Sequence, residues 1–83
     1  MKYSYKTSGT CSSRIDFEIG EDGILSNVAF TGGCNGNLKA IGKLVEGKNA
    51  REIASLLKGN TCGFKSTSCA DQLSRAIDEA LGA

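Results

Sequence analysis

The chain has 83 residues, which suits one small domain and is too short for two, because domains rarely fall below about 50 residues. Lys and Arg number 10, Asp and Glu number 9 and His is absent, so the net charge is +1. This composition excludes an overall electrostatic attraction to nucleic acid or to an acidic membrane, and it lacks the commonest general base and metal ligand.

Three segments near the start of the chain show the residue alternation of half-buried β-strands. These segments cover residues 3–7, 14–19 and 24–31. The second is the clearest, since Ile15, Phe17 and Ile19 alternate with charged residues. A turn cluster with an Asp-Gly pair fills residues 20–23, and it predicts a hairpin between the second and third strands.

The apolar period changes to that of a helix after Gly36. Three helices are predicted, each with an apolar stripe and a glycine at its end. The stripes consist of Leu38, Ile41 and Val45, then Ile53, Leu56 and Leu57, then Leu73, Ala76, Ile77, Ala80 and Leu81. Asn49 and Ser68 are predicted to cap the second and third helices, and Gly42 lies on the apolar face of the first, where it would permit close packing.

Strands followed by helices indicate an α+β fold rather than an alternating α/β fold. We predict a three-stranded antiparallel sheet covered by three C-terminal helices, forming a single domain over residues 1–83. No apolar run approaches the roughly 20 residues that span a bilayer, and no export signal is recognisable. The expectation is a cytoplasmic protein in a reducing compartment, without a membrane partner.

The chain has four cysteines, and all of them fall in predicted loops or at a helix start. They are Cys11, Cys34, Cys62 and Cys69. None forms a C-x-x-C pair, so the usual signature of a zinc ribbon or a thioredoxin-like motif is absent. Purely structural cysteines usually behave as small buried hydrophobes, so this placement indicates a shared site.

Three interpretations of the cysteines remain open at this point. In the first, four thiolates bind one metal, with zinc preferred to an iron–sulfur cluster. In the second, some are redox-active thiols, and Cys69 at a helix N-terminus or Cys34 would have a stabilised thiolate. In the third, they are packing residues or static disulfides of an interaction protein, which could form a homo-oligomer through a strand edge.

A glycine-rich junction joins the third strand to the first helix. Backbone N–H groups at Gly32, Gly33 and Gly36 could hold an anion, aided by Lys39 and Lys43 on the helix. The junction lacks the Gly-Lys-Ser/Thr ending of a P-loop, and positive φ angles explain its glycines equally well. It is a weak candidate for a nucleotide or phosphate site.

The segment TSCADQLSRAI at residues 67–77 resembles the motif that names the TSCPD domain. The opening strand with Cys11, the glycine–cysteine turn at Cys34 and the segment LKGNTCG at residues 57–63 are also similar to that family. Ala70 stands where the motif has proline. Because this is the second position of the predicted helix, alanine should preserve the helix.

The resemblance implies kinship with the C-terminal TSCPD domain of adenosylcobalamin-dependent ribonucleotide reductases, which serve DNA biosynthesis. It also implies that the four cysteines are characteristic site residues. An 83-residue chain cannot hold the catalytic barrel of a ribonucleoside-diphosphate reductase. We therefore expect a binding module that assists such an enzyme or binds a nucleotide or nucleic acid. A thiol redox carrier and a non-catalytic interaction protein are the alternatives.

Overall fold

A computed structural model of the chain describes residues 1–7, 10, 12–32, 35–60 and 67–82, without the side chains of residues 35–37. Three strands precede three helices, as predicted. The strands are β1 (Lys2–Lys6), β2 (Ser12–Ile19) and β3 (Leu25–Gly32), and the helices are α1 (Asn35–Val45), α2 (Ala50–Leu57) and α3 (Cys69–Ala80). The α+β prediction is confirmed.

The sheet is antiparallel in the order β1-β2-β3, which confirms the predicted hairpin and the position of the first strand. Ile15, Phe17 and Ile19 point into the core with exposed fractions of 0%, 2% and 6%. The helices pack against this sheet and against one another: α3 contacts β2, α2 packs on α3, and α1 packs beside β3. The core therefore lies between one face of the sheet and the helices.

The alternation of β3 is interrupted at Asn27, a non-glycine residue with a φ of 52°. Here two residues of β3, Asn27 and Val28, lie opposite one residue of β2, Phe17, which is a β-bulge. Asparagine tolerates the left-handed region better than most residues. The bulge shifts the phase of the strand, so that fully buried Leu25 is followed three residues later by half-buried Val28.

One helix prediction is wrong: Leu56 was assigned to the buried face of α2, but 75% of its surface is exposed. The buried residues of this short helix are Ala50, Ile53 and Ala54. The reason is that α2 packs on α3, where the hydroxyl of Ser74 donates to the carbonyl of Ala54 at 2.5 Å. This contact fixes the rotation of α2 and turns Leu56 outward.

Gly42 lies where α1 approaches β3 most closely, as its position on the apolar face predicted. A Cβ atom at this residue would lie 3.0 Å from the backbone carbonyl oxygen of Val28. Gly42→Ala should therefore destabilise the protein by about 1–2 kcal/mol, because overpacking outweighs the roughly 1 kcal/mol that alanine gains in helix propensity. Urea unfolding measures the difference.

Ser55→Ala, on the exposed face of α2, is the matched control. It adds helix propensity without a clash, so it should be neutral or slightly stabilising. A Gly42→Ala variant as stable as Ser55→Ala would contradict the proposed close contact between α1 and β3.

No described helix has the length and apolar character needed to cross a membrane.

Candidate functional site

The N-terminus of α3 is built by the segment Thr67–Asp71. Ser68 is the N-cap, with extended backbone angles, and its hydroxyl accepts a hydrogen bond from the Asp71 N–H at 3.1 Å. The same hydroxyl donates to the carbonyl oxygen of Asn60. Ser68 thus confirms the predicted cap and also ties the helix to the residues that follow α2.

Asp71 is a carboxylate with only 2% of its surface exposed. It accepts hydrogen bonds from the Gly59 N–H at 2.7 Å, from the Thr67 hydroxyl at 2.5 Å and from Arg75 Nε at 3.0 Å. The Thr67 hydroxyl in turn accepts from Gln72 Nε2 at 3.0 Å, so its own proton is directed to Asp71. These bonds satisfy a buried charge that would otherwise be costly.

The hydrogen bonds of Asp71 also set its acidity. The bond from Thr67 lowers the pKa most, desolvation by burial opposes this, and the Gly59 N–H and the Arg75 charge lower the pKa further. The net result is a pKa below the ordinary value of 3.8. Asp71 therefore holds its charge at neutral pH and serves as a fixed acceptor.

These contacts hold both ends of the segment 61–66. Gly59 and Asn60 precede that segment and Thr67 and Ser68 follow it, and all four take part in the hydrogen bonds just described. Cys62 belongs to the segment and lies outside the described residues. We call the four residues together with Asp71 the α3 clamp.

Cys69 is the first residue of α3 and is partly buried. Its Sγ lies 3.2 Å from the hydroxyl oxygen of Ser12, the first residue of β2. Ser12 has an exposed fraction of 4% and pairs with Gly32 across the sheet. The carbonyl oxygen of Ser12 accepts hydrogen bonds from the hydroxyls of Thr7 and Thr10.

Of the four predicted cysteine ligands, only Cys69 lies among the described residues. Cys11, Cys34 and Cys62 lie outside them. Described residues one or two positions away from these cysteines take part in the contacts just given. Ser12 follows Cys11 and contacts Cys69, Gly32 pairs with Ser12, and Asn60 accepts from Ser68.

The residues of the predicted phosphate site are described only in part. Gly32 ends β3 with a φ of 79° and is exposed, Gly36 lies in the first turn of α1, and Gly33 lies outside the described residues. Lys39 and Lys43 are exposed and line a groove between α1 and β3. The lysines are thus placed beside the middle of β3.

Sequence reasoning missed the clamp and the contact with Ser12. One signal was available for the clamp, because Asp71 and Arg75 have the i, i+4 spacing of a helical ion pair. The Gly59 N–H that completes the site lies twelve residues upstream and left no local signal.

The N-caps of α2 and α3 differ in their further hydrogen bonds. Among the described residues, the Asn49 side chain accepts from the Glu52 N–H at 3.1 Å, whereas the Ser68 hydroxyl accepts from Asp71 and also donates to the carbonyl oxygen of Asn60. Asn49→Ala should cost about 1 kcal/mol and Ser68→Ala about 2–3 kcal/mol, since the second also leaves a carbonyl without its partner. Urea unfolding of both variants measures this, and equal losses would contradict the second role of Ser68.

The comparison with known families decides the kinship. The family model of the TSCPD domain matches residues 1–81. This chain belongs to the TSCPD domain family. The match covers nearly the whole chain, which confirms the resemblance seen in the motif. No curated protein and no solved structure gave a significant match.

The family motif can now be placed in this TSCPD domain. Thr67, Ser68 and Asp71 belong to the α3 clamp, and the Cys69 sulfur contacts Ser12. Ala70, where the motif has proline, is the second residue of α3 and is buried, and the helix forms with alanine as expected. The polar residues of the motif therefore form the N-terminus of α3, and they bond to Gly59 and Asn60, which precede the segment that contains Cys62.

Proposed function

We propose that this TSCPD domain is a metal-binding module in which Cys11, Cys34, Cys62 and Cys69 together hold one zinc ion. The observation that carries the proposal is the 3.2 Å contact between Ser12 Oγ and Cys69 Sγ. It brings the start of β2 to the start of α3, although these residues lie 57 positions apart in the chain.

Chain connectivity supports the approach of the other cysteines. A residue spans at most about 3.6 Å, so Cys11 is within about 4 Å of Ser12 and Cys62 within about 7 Å of Asn60, measured between Cα atoms. Cys34 follows Gly32 by two residues, and Gly32 pairs with Ser12. Each of these three cysteines is thus within two residues of Ser12 itself or of a residue that bonds to Ser12 or Ser68.

The donor set suits a structural zinc site. Four thiolates form the usual closed tetrahedral sphere, which leaves no open position for a substrate. The N-terminus of α3 favours the thiolate form of Cys69. Zinc would supply folding energy to a small domain whose core is thin. An iron–sulfur cluster would use the same residues and is the less favoured occupant.

The proposed partner is inferred from membership of the TSCPD domain family and not from the geometry of the site. The TSCPD domain is related to ribonucleotide reductases, and a closed metal site stabilises a surface rather than performing catalysis. We therefore assign this domain the role of assisting a reductase-type enzyme in the cytoplasm, with the zinc fixing the shape of the docking surface.

A thiol redox carrier is the second candidate. It is favoured by the placement of Cys69, which is the first helical residue and has a hydroxyl 3.2 Å from its sulfur. A helix N-terminus stabilises the thiolate form of a cysteine. This candidate requires a second cysteine that reacts reversibly with Cys69.

Thiol labelling separates the two candidates. The native protein is treated with an alkylating reagent at neutral pH, with and without a strong chelator, and the labels are counted by mass spectrometry. The zinc proposal predicts slow labelling of all four thiols that becomes fast for all four after chelation. Rapid labelling of all four thiols without chelator would contradict it. Two thiols that are labelled rapidly with or without chelator, and that are no longer labelled after oxidation, would favour the redox carrier.

A further inference from the structure

β1 forms one edge of the sheet, because the strand order is β1-β2-β3. The Ile19 N–H donates to the Met1 carbonyl oxygen at 3.0 Å, and the Thr7 N–H donates to the Ser13 carbonyl oxygen at 3.2 Å. In an antiparallel pair, residues bonded to the partner strand alternate with residues whose backbone groups point away from it. The even-numbered residues of β1 therefore direct their N–H and C=O groups to the outer edge. They are Lys2, Ser4 and Lys6.

The outer edge of β1 is exposed. Its three even-numbered residues are exposed, and no strand in the described part of the chain pairs with this side of β1. An unpaired strand edge can form backbone hydrogen bonds with an extended segment of another chain. Such a segment places alternate side chains on the two faces of the sheet, so each face sets its own requirement.

The face of β1 that packs toward the helices is apolar. Tyr3 and Tyr5 are half-buried there, and both line a hollow of about 210 Å³ together with Ala76 and Ala80 of α3. Glu79 also lines the hollow and is exposed. A segment added to β1 should therefore present apolar side chains on this face, because Glu79 would repel an acidic one.

The opposite face of β1 is positively charged. Lys6 lies opposite another cation, Arg14, in the register with β2. Lys2 lies opposite Glu18, whose carboxylate accepts from the side-chain amide of Asn27. Neither lysine forms an ion pair with a described residue. Acidic side chains on this face of an added segment would supply the missing opposite charge.

The same two lysines disfavour a second copy of β1 as the occupant. Antiparallel pairing of two β1 strands over their full length is centred on Ser4, and it places Lys2 of each copy opposite Lys6 of the other. Like charges directly opposite each other are destabilising, and lysines on edge strands commonly prevent such self-pairing. The charge pattern therefore favours an acidic partner over another copy of this chain.

We propose that the outer edge of β1 binds an extended segment of another protein in which acidic residues alternate with apolar ones. The segment adds a strand to the sheet. Its acidic side chains lie beside Lys2 and Lys6, and its apolar side chains lie beside Tyr3 and Tyr5. The proposal does not rest on bound zinc, and zinc content measured on the same samples tests the metal proposal separately.

Fluorescence anisotropy with two labelled peptides tests this docking surface. In one peptide glutamate and valine alternate, and in the other the same residues stand in two blocks. The alternating peptide should bind at least tenfold more tightly, because only alternation satisfies both faces of the edge. Lys2→Glu/Lys6→Glu should weaken its binding at least tenfold. The control Lys48→Glu/Lys58→Glu makes the same change in net charge at exposed positions outside β1 and should change the affinity less than threefold.

Ser4→Pro tests the backbone hydrogen bonds of the added strand. Proline removes the N–H of residue 4, which points away from β2, so the bonds between β1 and β2 are kept. The variant should lose at least tenfold in affinity for the alternating peptide, whereas Ser4→Ala should bind as the native protein does. Urea unfolding shows whether each variant is folded, and the charge reversal decides the test if the proline variant is not.

Four results would overturn the proposal: no binding of the alternating peptide, equal binding of the two peptides, equal losses in the two charge-reversed variants, or unchanged binding by a folded Ser4→Pro variant. The second and third would indicate attraction by charge alone. Self-association of the native protein that Ser4→Pro abolishes would assign the edge to a second copy of this chain, and it would overturn the proposal as well.

Discussion

Removal of the proposed zinc ion is expected to abolish the cooperative unfolding of this TSCPD domain or to lower its Tm by at least about 20 °C. Structural zinc sites contribute about 10–16 kcal/mol in small peptides, which is comparable to the whole stability of a small domain at about 5–15 kcal/mol. Thermal unfolding followed by circular dichroism, before and after treatment with a strong chelator, measures the effect.

The variant Cys69→Ser provides the control, because it removes one sulfur ligand from the start of α3. It should already be unstable, and its unfolding should not respond to chelator. Added zinc should restore the native protein but not the variant. A native protein that is shown to be free of metal and keeps its Tm would contradict a structural role for zinc.

The second large effect is expected from Asp71→Asn, which should cost about 2–4 kcal/mol. Asparagine keeps the volume and can still accept from the Gly59 N–H, but its amide group would face the hydroxyl of Thr67 and the Nε of Arg75. The buried Thr67 hydroxyl would then lack its acceptor, which is the expensive way to lose a hydrogen bond, whereas Arg75, with 58% of its side chain exposed, can bond to water. Urea unfolding measures the loss.

Asp16→Asn is the matched control, since Arg14 and Asp16 form the same Nε-to-carboxylate pair at the same 3.0 Å. The carboxylate side chain there is 41% exposed, against 3% for Asp71. Exposed pairs contribute little, so this control should cost less than about 0.5 kcal/mol. Equal small losses in both variants would show that the clamp does not stabilise the domain.

The loss of stability in Asp71→Asn should also depend on pH. Because the pKa of Asp71 is lowered by folding, its contribution is complete above the ordinary value of 3.8 and is lost as the pH falls below it toward the folded pKa. The stability difference between the native protein and Asp71→Asn should be constant from pH 7 to about pH 5 and should shrink below about pH 4.

Urea unfolding down to the lowest pH at which both proteins unfold cooperatively checks this dependence. Comparing the two proteins cancels acid effects that they share, including protonation of thiolates. A difference that stays constant, or grows, as the pH falls well below 4 would contradict a lowered pKa of Asp71.

Those parts of the fold that depend on neighbouring residues were predictable from the sequence. The alternation of Ile15, Phe17 and Ile19 fixed the buried face of β2, and the Asn49 and Ser68 caps fixed two helix starts. These features are local, because a strand face has a period of two and a cap acts over three residues.

The remaining features depend on contacts between distant segments. The exposure of Leu56 follows from the way α2 packs on α3, and the bulge at Asn27 changes the phase of a strand that otherwise alternates. The candidate site shows the same limit. The positions of the cysteines in the sequence predicted a shared site. Ser12 and Asp71 make the long-range contacts near these cysteines, and nothing in the sequence marks these two polar residues for that role.

The most direct test of the proposed metal site is elemental analysis of the untagged protein, purified without oxygen and without added metal. The proposed four-cysteine site predicts about one zinc atom per chain, and a matched preparation of Cys69→Ser should contain substantially less. Iron in multiples would replace zinc with a cluster on the same cysteines. A native preparation with no bound metal and four unmodified thiols would contradict a metal site at these cysteines.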